Sequence, residues 1–266
     1  MRIANFGFMQ FIDTHTHIYL EDFKEDFSEI ISKAKEENVK KFFLPNIDAK
    51  TIKDVRALYE SDPKTYYPMA GLHPCSVKED WQEQLDQLRS ELDTGDYIAV
   101  GEIGMDLYWE KKFKPEQEKA FLEQASWAKE KGLPIVIHVR NAFDELFELV
   151  DQINDDKLYG IFHCFTGTNE QAKKILNYGG FKLGIGGVVT FKNAKLDKAL
   201  TDIPLENIVL ETDAPYLAPH PNRGKRNEPS YIPLIAQKMA EIHNVSIEEV
   251  ARITTQNAKE VFGIDE

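Results

Sequence analysis

Cysteine is nearly absent from this sequence. Cys75 and Cys164 are the only two in 266 residues, too few for a disulfide framework, and a reduced, cytoplasmic setting is the expectation. Long hydrophobic runs are missing too: no stretch of about 18 apolar residues and no charged-then-apolar leader occurs, so neither a membrane span nor a signal segment is expected. Nor is there a Gly/Ser linker, a low-complexity tract or an internal repeat. Basic residues are outnumbered, with 32 Lys and Arg against 45 Asp and Glu for a formal net charge of −13. That balance argues against nucleic-acid binding by global attraction, although it leaves room for a local basic site. The first strand-helix unit lacks a Gly-rich phosphate fingerprint, which lowers the case for a dinucleotide cofactor.

What is present is alternation. Eight β-rich runs, QFID, KKFFLPN, YYPMAGLH, YIAVGEIG, LPIVIH, LYGIFH, FKLGIG and NIVLETD, are separated by amphipathic stretches such as DFSEIISKAKEEN and FDELFELVDQI. This pattern calls for a parallel sheet with helical crossovers. The fold class is α/β, and eight units on one uninterrupted chain predict a single (β/α)8 TIM barrel rather than an open doubly wound sheet. Residues 9–266 form that domain, while residues 1–8 read as a short arm or an overlong start. Pro115 opens one helix and Gly132 closes it, as the asymmetry of helix ends requires. The tail reads as two helices, the last packing outside the barrel, with His243 a structural residue at the turn between them.

Histidine is scarce, at seven, yet two stand one residue apart in FIDTHTHIYL. On a strand Asp13, His15 and His17 would share one face, as a chelating comb. A lone H-x-H could equally be a polar hairpin edge, so other strand ends decide. Glu102 ends YIAVGEIG, His138 ends LPIVIH, His163 ends LYGIFH and Asp213 ends NIVLETD. In a barrel of parallel strands all C-terminal ends face one rim, where reactive groups collect. Six metal-competent groups on five strands, His15, His17, Glu102, His138, His163 and Asp213, predict a metal site at that rim. Imidazoles with carboxylates suit Zn²⁺ or Mn²⁺ better than Mg²⁺, which prefers oxygen and water.

The stretches DTHTH, GLHP, GEIGMD, IHVR, HCFTGT and ETDAPYLAPHPNRGKRNEPSY resemble the successive motifs of the TatD-family metal-dependent deoxyribonucleases, from Phe11 to the final helix. The resemblance implies a TIM barrel with one or two divalent ions (Zn, Mn or Mg) and phosphodiester hydrolysis on DNA, with single strands or ends as substrate and exonucleolytic cutting expected. It further implies that His15 and His17 hold one ion with Asp213, that His138 and His163 hold the second, and that Glu102 bridges. Asp213 is the candidate for orienting and deprotonating the attacking water. Cys75 after GLHP, where many relatives carry histidine, and Leu107 after GEIGMD, where tyrosine is common, depart from the pattern beside the site. Asp106 reads as a neighbour of the ligands or an exposed loop residue, and Glu211, which alternates onto the face of Asp213, as a barrel-interior partner.

His73 has the right place to bind a phosphate or terminal hydroxyl. Arg223, Lys225 and Arg226 concentrate three cations just beyond Asp213, where a phosphate clamp would work despite the acidic net charge, and Arg140 could add to it. Tyr108, Trp109 and Tyr216 could stack a splayed base. Rival readings are an amidohydrolase or small-molecule phosphoesterase on the same barrel, or a non-catalytic scaffold. Two-metal amidohydrolases commonly bridge with a carbamylated lysine, and YIAVGEIG offers none. A scaffold should have lost a ligand, and none of the six is missing. Oligomeric state is not legible.

Overall fold

A computed structural model describes residues 9–264; the expected arm at 1–8 lies outside them. Eight strands, β1 (Phe11–Asp13), β2 (Val39–Pro45), β3 (Tyr66–Ala70), β4 (Ala99–Asp106), β5 (Ile135–Arg140), β6 (Gly160–Phe162), β7 (Phe181–Ile185) and β8 (Ile208–Leu210), pair in parallel in chain order. Between and after them lie α1 (Phe27–Glu36), α2 (Ile52–Ser61), α3 (Trp81–Leu92), α4 (Lys114–Lys131), α5 (Phe143–Ile153), α6 (Asn169–Asn177), α7 (Leu196–Leu200), α8 (Ile232–His243) and α9 (Ile247–Phe262). All eight predicted strands form, giving a (β/α)8 barrel. Pro115 lies in the first turn of α4, and Gly132 caps its end with φ 65°.

The two faces of each strand carry different cores. Ile135, Ile137 and Val139 of β5 join the large cluster under the helices, whereas Ile12, Phe43, Met69, Ala99, Val136, Ile161 and Val209, from seven strands, form a second cluster. That second layer fills the barrel near its N-terminal end. Ala258, Val261 and Phe262 of α9 complete it, with the Phe262 ring 4.6 Å from that of Phe43. The last helix therefore seals the barrel floor instead of merely lying outside it, because its apolar face matches the apolar end of the barrel.

Side-chain alternation then fixes what lies above that layer. Two residues on from Val136 and Ile161, on the same inward face, come His138 and His163; four on from Met69 and Val209 come His73 and Asp213. In β4 the alternation from Ala99 and Gly101 would turn Ile103 inward. The β4–β5 register shifts between Gly101 and Ile103, leaving Glu102 without a partner. A bulge of this kind re-aims a side chain, and here Glu102, Gly104 and Asp106 take the inward face while Ile103 and Met105 join the outer core. Gly104 is obligatory in this arrangement: its φ is +141°, and a Cβ there would sit 2.0 Å from the His138 carbonyl oxygen.

The seam between β8 and β1 closes beyond the strands themselves. Thr14 N–H donates to Leu210 O (3.1 Å), Asp213 N–H to His15 O (2.9 Å) and His17 N–H to Ala214 O (2.8 Å). Asp13 does not join the histidines in a comb; its carboxylate is fully buried and accepts from Thr212 N–H (2.8 Å) and Thr212 Oγ1 (2.5 Å). The side chain thus staples the two strands that carry His15, His17 and Asp213. Replacing Asp13 by Ala would leave the Thr212 N–H buried without an acceptor, at a cost of about 1–3 kcal/mol. Urea unfolding of Asp13→Ala should show a lowered midpoint with an unchanged m-value, the signature of lost native stability.

Candidate metal centre

The inward face places seven polar groups at the C-terminal mouth of the barrel. Glu102 is at their centre, 2% exposed. Its Oε2 faces His15 Nε2 (3.1 Å) and His17 Nε2 (3.7 Å), while Oε1 faces His138 Nδ1 (2.8 Å), His163 Nε2 (2.9 Å) and His73 Nε2 (3.3 Å). Asp213 Oδ1 lies 3.5 Å from His17 Nε2 and 3.8 Å from His15 Nε2. The structure thus brings all six predicted ligands together and adds His73, whose Nδ1 accepts from Cys75 N–H at 3.0 Å.

Donors held about 2.1 Å from a tetrahedral ion stand roughly 3.4 Å apart. The Nε2 atoms of His15 and His17, Glu102 Oε2 and Asp213 Oδ1 show separations of 3.1 to 3.8 Å, and His15, His17 and Asp213 form one group able to hold an ion. His73, Glu102 and His138 form another, and His15, Glu102 and His163 a third. In the second half His138 and His163 both face Glu102 Oε1, at 2.8 and 2.9 Å; His138 also groups with His73, and His163 stacks on His15 with ring centroids 3.7 Å apart. Glu102 is common to both of these groups. The residues present fit a divalent ion in their chemistry as well, since imidazole with carboxylate is a zinc- or manganese-type donor set.

Three of the histidines are backed by another group. His17 Nδ1 meets Tyr19 Oη at 2.9 Å, and Tyr19 in turn donates to Pro45 O. His138 Nε2 meets Asp106 Oδ2 at 3.0 Å. His163 Nδ1 meets Glu211 Oε1 at 3.1 Å, and the same oxygen accepts from Cys164 N–H. Such outer partners fix ring orientation and tautomer. Asp106 is accordingly a buried partner of His138 and no loop residue, and Glu211 sits in the barrel interior. Sequence reasoning passed over Gln117 of α4, which brackets Asp106 by accepting from its N–H (3.0 Å) and donating to its carbonyl (3.1 Å). A glutamine at helical spacing in a polar sequence carries no signal of this role.

The electrostatics follow from packing carboxylates against imidazoles out of water. Burial pushes the Glu102 carboxyl up, but His73, His163, His15 and the hydrogen bond from His138 outweigh it and hold the group well below the usual carboxylate range. Burial likewise opposes protonation of His163, yet Glu102 and Glu211 raise it well above an ordinary imidazole. His15 goes the other way, lowered by burial and by His163. Asp106 is pushed up by burial, but the hydrogen bonds from His138 and the Tyr108 N–H together with the charge of His138 outweigh it and lower the group to about 2.

Above these groups opens a cavity of about 610 Å³, lined by His17, His73, Glu102, His138, His163 and Asp213 below and by Trp109, Arg140, Tyr216 and Leu217 towards solvent. Among the described residues, no lysine lines it. Arg140 lies with its guanidinium carbon 3.7 Å from the Tyr108 ring centre. Arg223 and Lys225 lie on the loop after β8, with Arg223 over the Phe191 ring at 4.5 Å. Arg226 is placed otherwise: its fork is engaged by Asp26 (3.0 and 2.6 Å) and Glu228 (3.3 Å), and it packs over Phe23. It ties the β8 loop to the start of α1 and is engaged away from Arg223 and Lys225, with which it was expected to form a three-cation clamp. His243 ends α8 and belongs neither to the three groups able to hold an ion nor to the cavity lining.

The family model described as TatD related DNase matches residues 12–263. A metal-dependent hydrolase of Bacillus subtilis named YabD, itself uncharacterized, is 38% identical over 95% of this chain and 99% of its own length. A protein of Pantoea ananatis named 3'-5' ssDNA/RNA exonuclease TatD is 30% identical, over 95% of this chain and 99% of its own. Among solved structures, the TatD homologue YjjV of Escherichia coli superposes with a TM-score of 0.90 at 29% identity, covering 97% of this chain and 99% of that one.

The contact between Asp106 and His138 is open to direct test. Removing an ionised carboxylate from beside an imidazole disfavours the imidazolium. In metal-free protein, Asp106→Asn should therefore lower the pKa of His138, followed by NMR titration of its ring resonances. An unshifted titration would mean that the two side chains do not interact in solution.

Proposed function

Because the chain belongs to the TatD-related DNase family of metal-dependent hydrolases, we propose that it hydrolyses phosphodiester bonds in DNA, taking single strands or strand ends and cutting exonucleolytically. The observation that carries this reading is Glu102, whose two oxygens face opposite halves of the histidine cluster. A carboxylate can reach two ions where an imidazole nitrogen reaches one. His15, His17 and Asp213 would hold one ion and His138 and His163 the other, with Glu102 between, and zinc or manganese suits the set best. When bound, such ions polarise the phosphoryl oxygens and acidify water.

The remaining work falls to the chain itself. Asp213 lies at the cavity floor with its side chain 14% exposed, so one face is turned to the space a substrate would fill. There it orients the attacking water and accepts its proton. His73, its Nδ1 already accepting from Cys75 N–H, presents Nε2–H to the cavity and to Glu102, in position to donate to a phosphate oxygen or terminal hydroxyl. Arg140 reaches the same cavity from its rim, and Arg223 and Lys225 add positive charge on the loop after Asp213. The lining without lysine weighs against a hydrolase bridged by a carbamylated lysine. The name of the Pantoea relative supports nucleic acid over a small phosphodiester.

The assay that tests the proposal offers metal-loaded protein end-labelled single- and double-stranded DNA and RNA, with products sized over time. Shortening of single-stranded DNA from one end is expected; intact DNA under every metal would overturn the reading. Asp213→Asn can still offer a carbonyl oxygen to a metal, but its amide nitrogen cannot take a proton. Turnover should fall by about 10²-fold or more, and turnover near wild type with metal retained would reduce Asp213 to a structural ligand.

A further inference from the structure

Of the five exposed large hydrophobic residues among those described, Trp109, Tyr216 and Leu217 line the mouth of the metal cavity, and Tyr108 stands beside Trp109 on the adjoining groove. Trp109 is 73% exposed. Its ring meets Tyr108 edge-on at 4.7 Å, and the Arg140 guanidinium lies 3.7 Å from the Tyr108 ring centre and 5.5 Å from that of Trp109. No packing requirement explains an indole held in water. A solvent-facing aromatic braced by a guanidinium is the arrangement that stacks unpaired bases.

Arg140 also belongs to a second depression. A groove of about 890 Å³ runs from Tyr108 and Arg140 between the starts of α5 and α6 to Lys195 and Lys198 at α7, sharing Val139, Arg140 and Thr166 with the metal cavity. Lys195, Lys198 and Arg140 are exposed and pair with no carboxylate among the described residues. Asp144 and Glu145 also line the groove, and Glu145 is held by Lys114 at 3.3 Å. In a chain of net charge −13, three unpaired cations lining a groove continuous with the candidate active site are charge-complementary to a polyanion that is threaded into that site.

We infer that single-stranded polynucleotide leaves the metal cavity by stacking a base on Trp109 and laying its next phosphates past Arg140 along the groove to Lys195 and Lys198. This path rests on the nuclease reading and names what that reading leaves open: the route of the strand and the reason for a single one. A duplex keeps its bases stacked on one another, so it has no free face to offer Trp109. A substrate of one or two nucleotides fills the cavity and gains nothing from the lysines. Arg223 and Lys225 lie outside both cavities and are not on the path.

The test uses a short single-stranded oligothymidylate made resistant to cleavage by phosphorothioate linkages, with a dinucleotide for comparison, on the full-length metal-loaded protein. The wild type should bind the strand more tightly than the dinucleotide, and binding should quench the emission of Trp109. Lys195→Gln with Lys198→Gln should flatten the log–log salt dependence by about 1.4, at about 0.7 for each phosphate that is no longer neutralised. Trp109→Ala should weaken binding on the order of 10-fold, the scale of one stacked base, and Trp109→Phe should recover most of it. Wild-type affinity and salt dependence in these variants would overturn the path, as would a flattened slope in Arg223→Gln with Lys225→Gln alone. Loss of the path and loss of the nuclease reading separate cleanly: normal cleavage with indifferent lysine variants sinks only the path, and strand binding through these residues without cleavage sinks only the nuclease.

Discussion

A carboxylate buried at the mouth of a barrel must be compensated, and much of this structure can be understood as the compensation of Glu102. An isolated charge at 2% exposure would cost several kcal/mol, yet five imidazoles from four segments of chain converge on its two oxygens. The bulge in β4 exists in the same terms: without the register shift beside it, alternation would send Glu102 to the outer core and Ile103 to the histidines. Behind the imidazoles stand Asp106, Glu211 and the Tyr19 hydroxyl. The cluster is thus a two-layered network in which ring positions are set from outside.

The seam of the barrel serves the same end. β1 and β8 are three residues each, too short to close the sheet by ladder bonds alone, and their closure continues through the residues that present His15, His17 and Asp213. Fold closure and site geometry are therefore coupled at one place. At the opposite end, α9 with Phe262 completes an apolar floor, so the barrel interior changes from apolar to polar within a few residues along the strands that carry the site. The contrast concentrates the polar groups at one rim, where the cavity and its exposed aromatic residues give a substrate its way in.

Much of this was legible in the sequence, for identifiable reasons. Strands buried on both faces read as continuous apolar runs, and a histidine or acid at the end of such a run is conspicuous; His138, His163 and Asp213 stood out on that ground. The period of two also reached Glu211 as a partner on the face of Asp213. Where the reading fell short, the cause was a feature without a local signature. A bulge is invisible in composition, so Glu102 looked like the end of a strand that in fact runs on to Asp106. Asp13 shares sequence parity with His15 and His17, but the regular strand stops after Asp13 and a cross-strand threonine takes its carboxylate. Arg226 sits in a run with Arg223 and Lys225, and only tertiary structure shows that Asp26, 200 residues earlier, has engaged it. Pairing across such distances is the information a charge run lacks.

The central claim is that both halves of the site depend on the one carboxylate, and the metal content of Glu102→Gln tests it most directly. The substitution keeps the size and one carbonyl oxygen while removing the charge that faces both sets of imidazoles. Elemental analysis of protein loaded with zinc or manganese and freed of excess ion should find two ions per chain in the wild type and loss at both sites in the variant. Wild-type metal content in a folded Glu102→Gln protein would contradict the account.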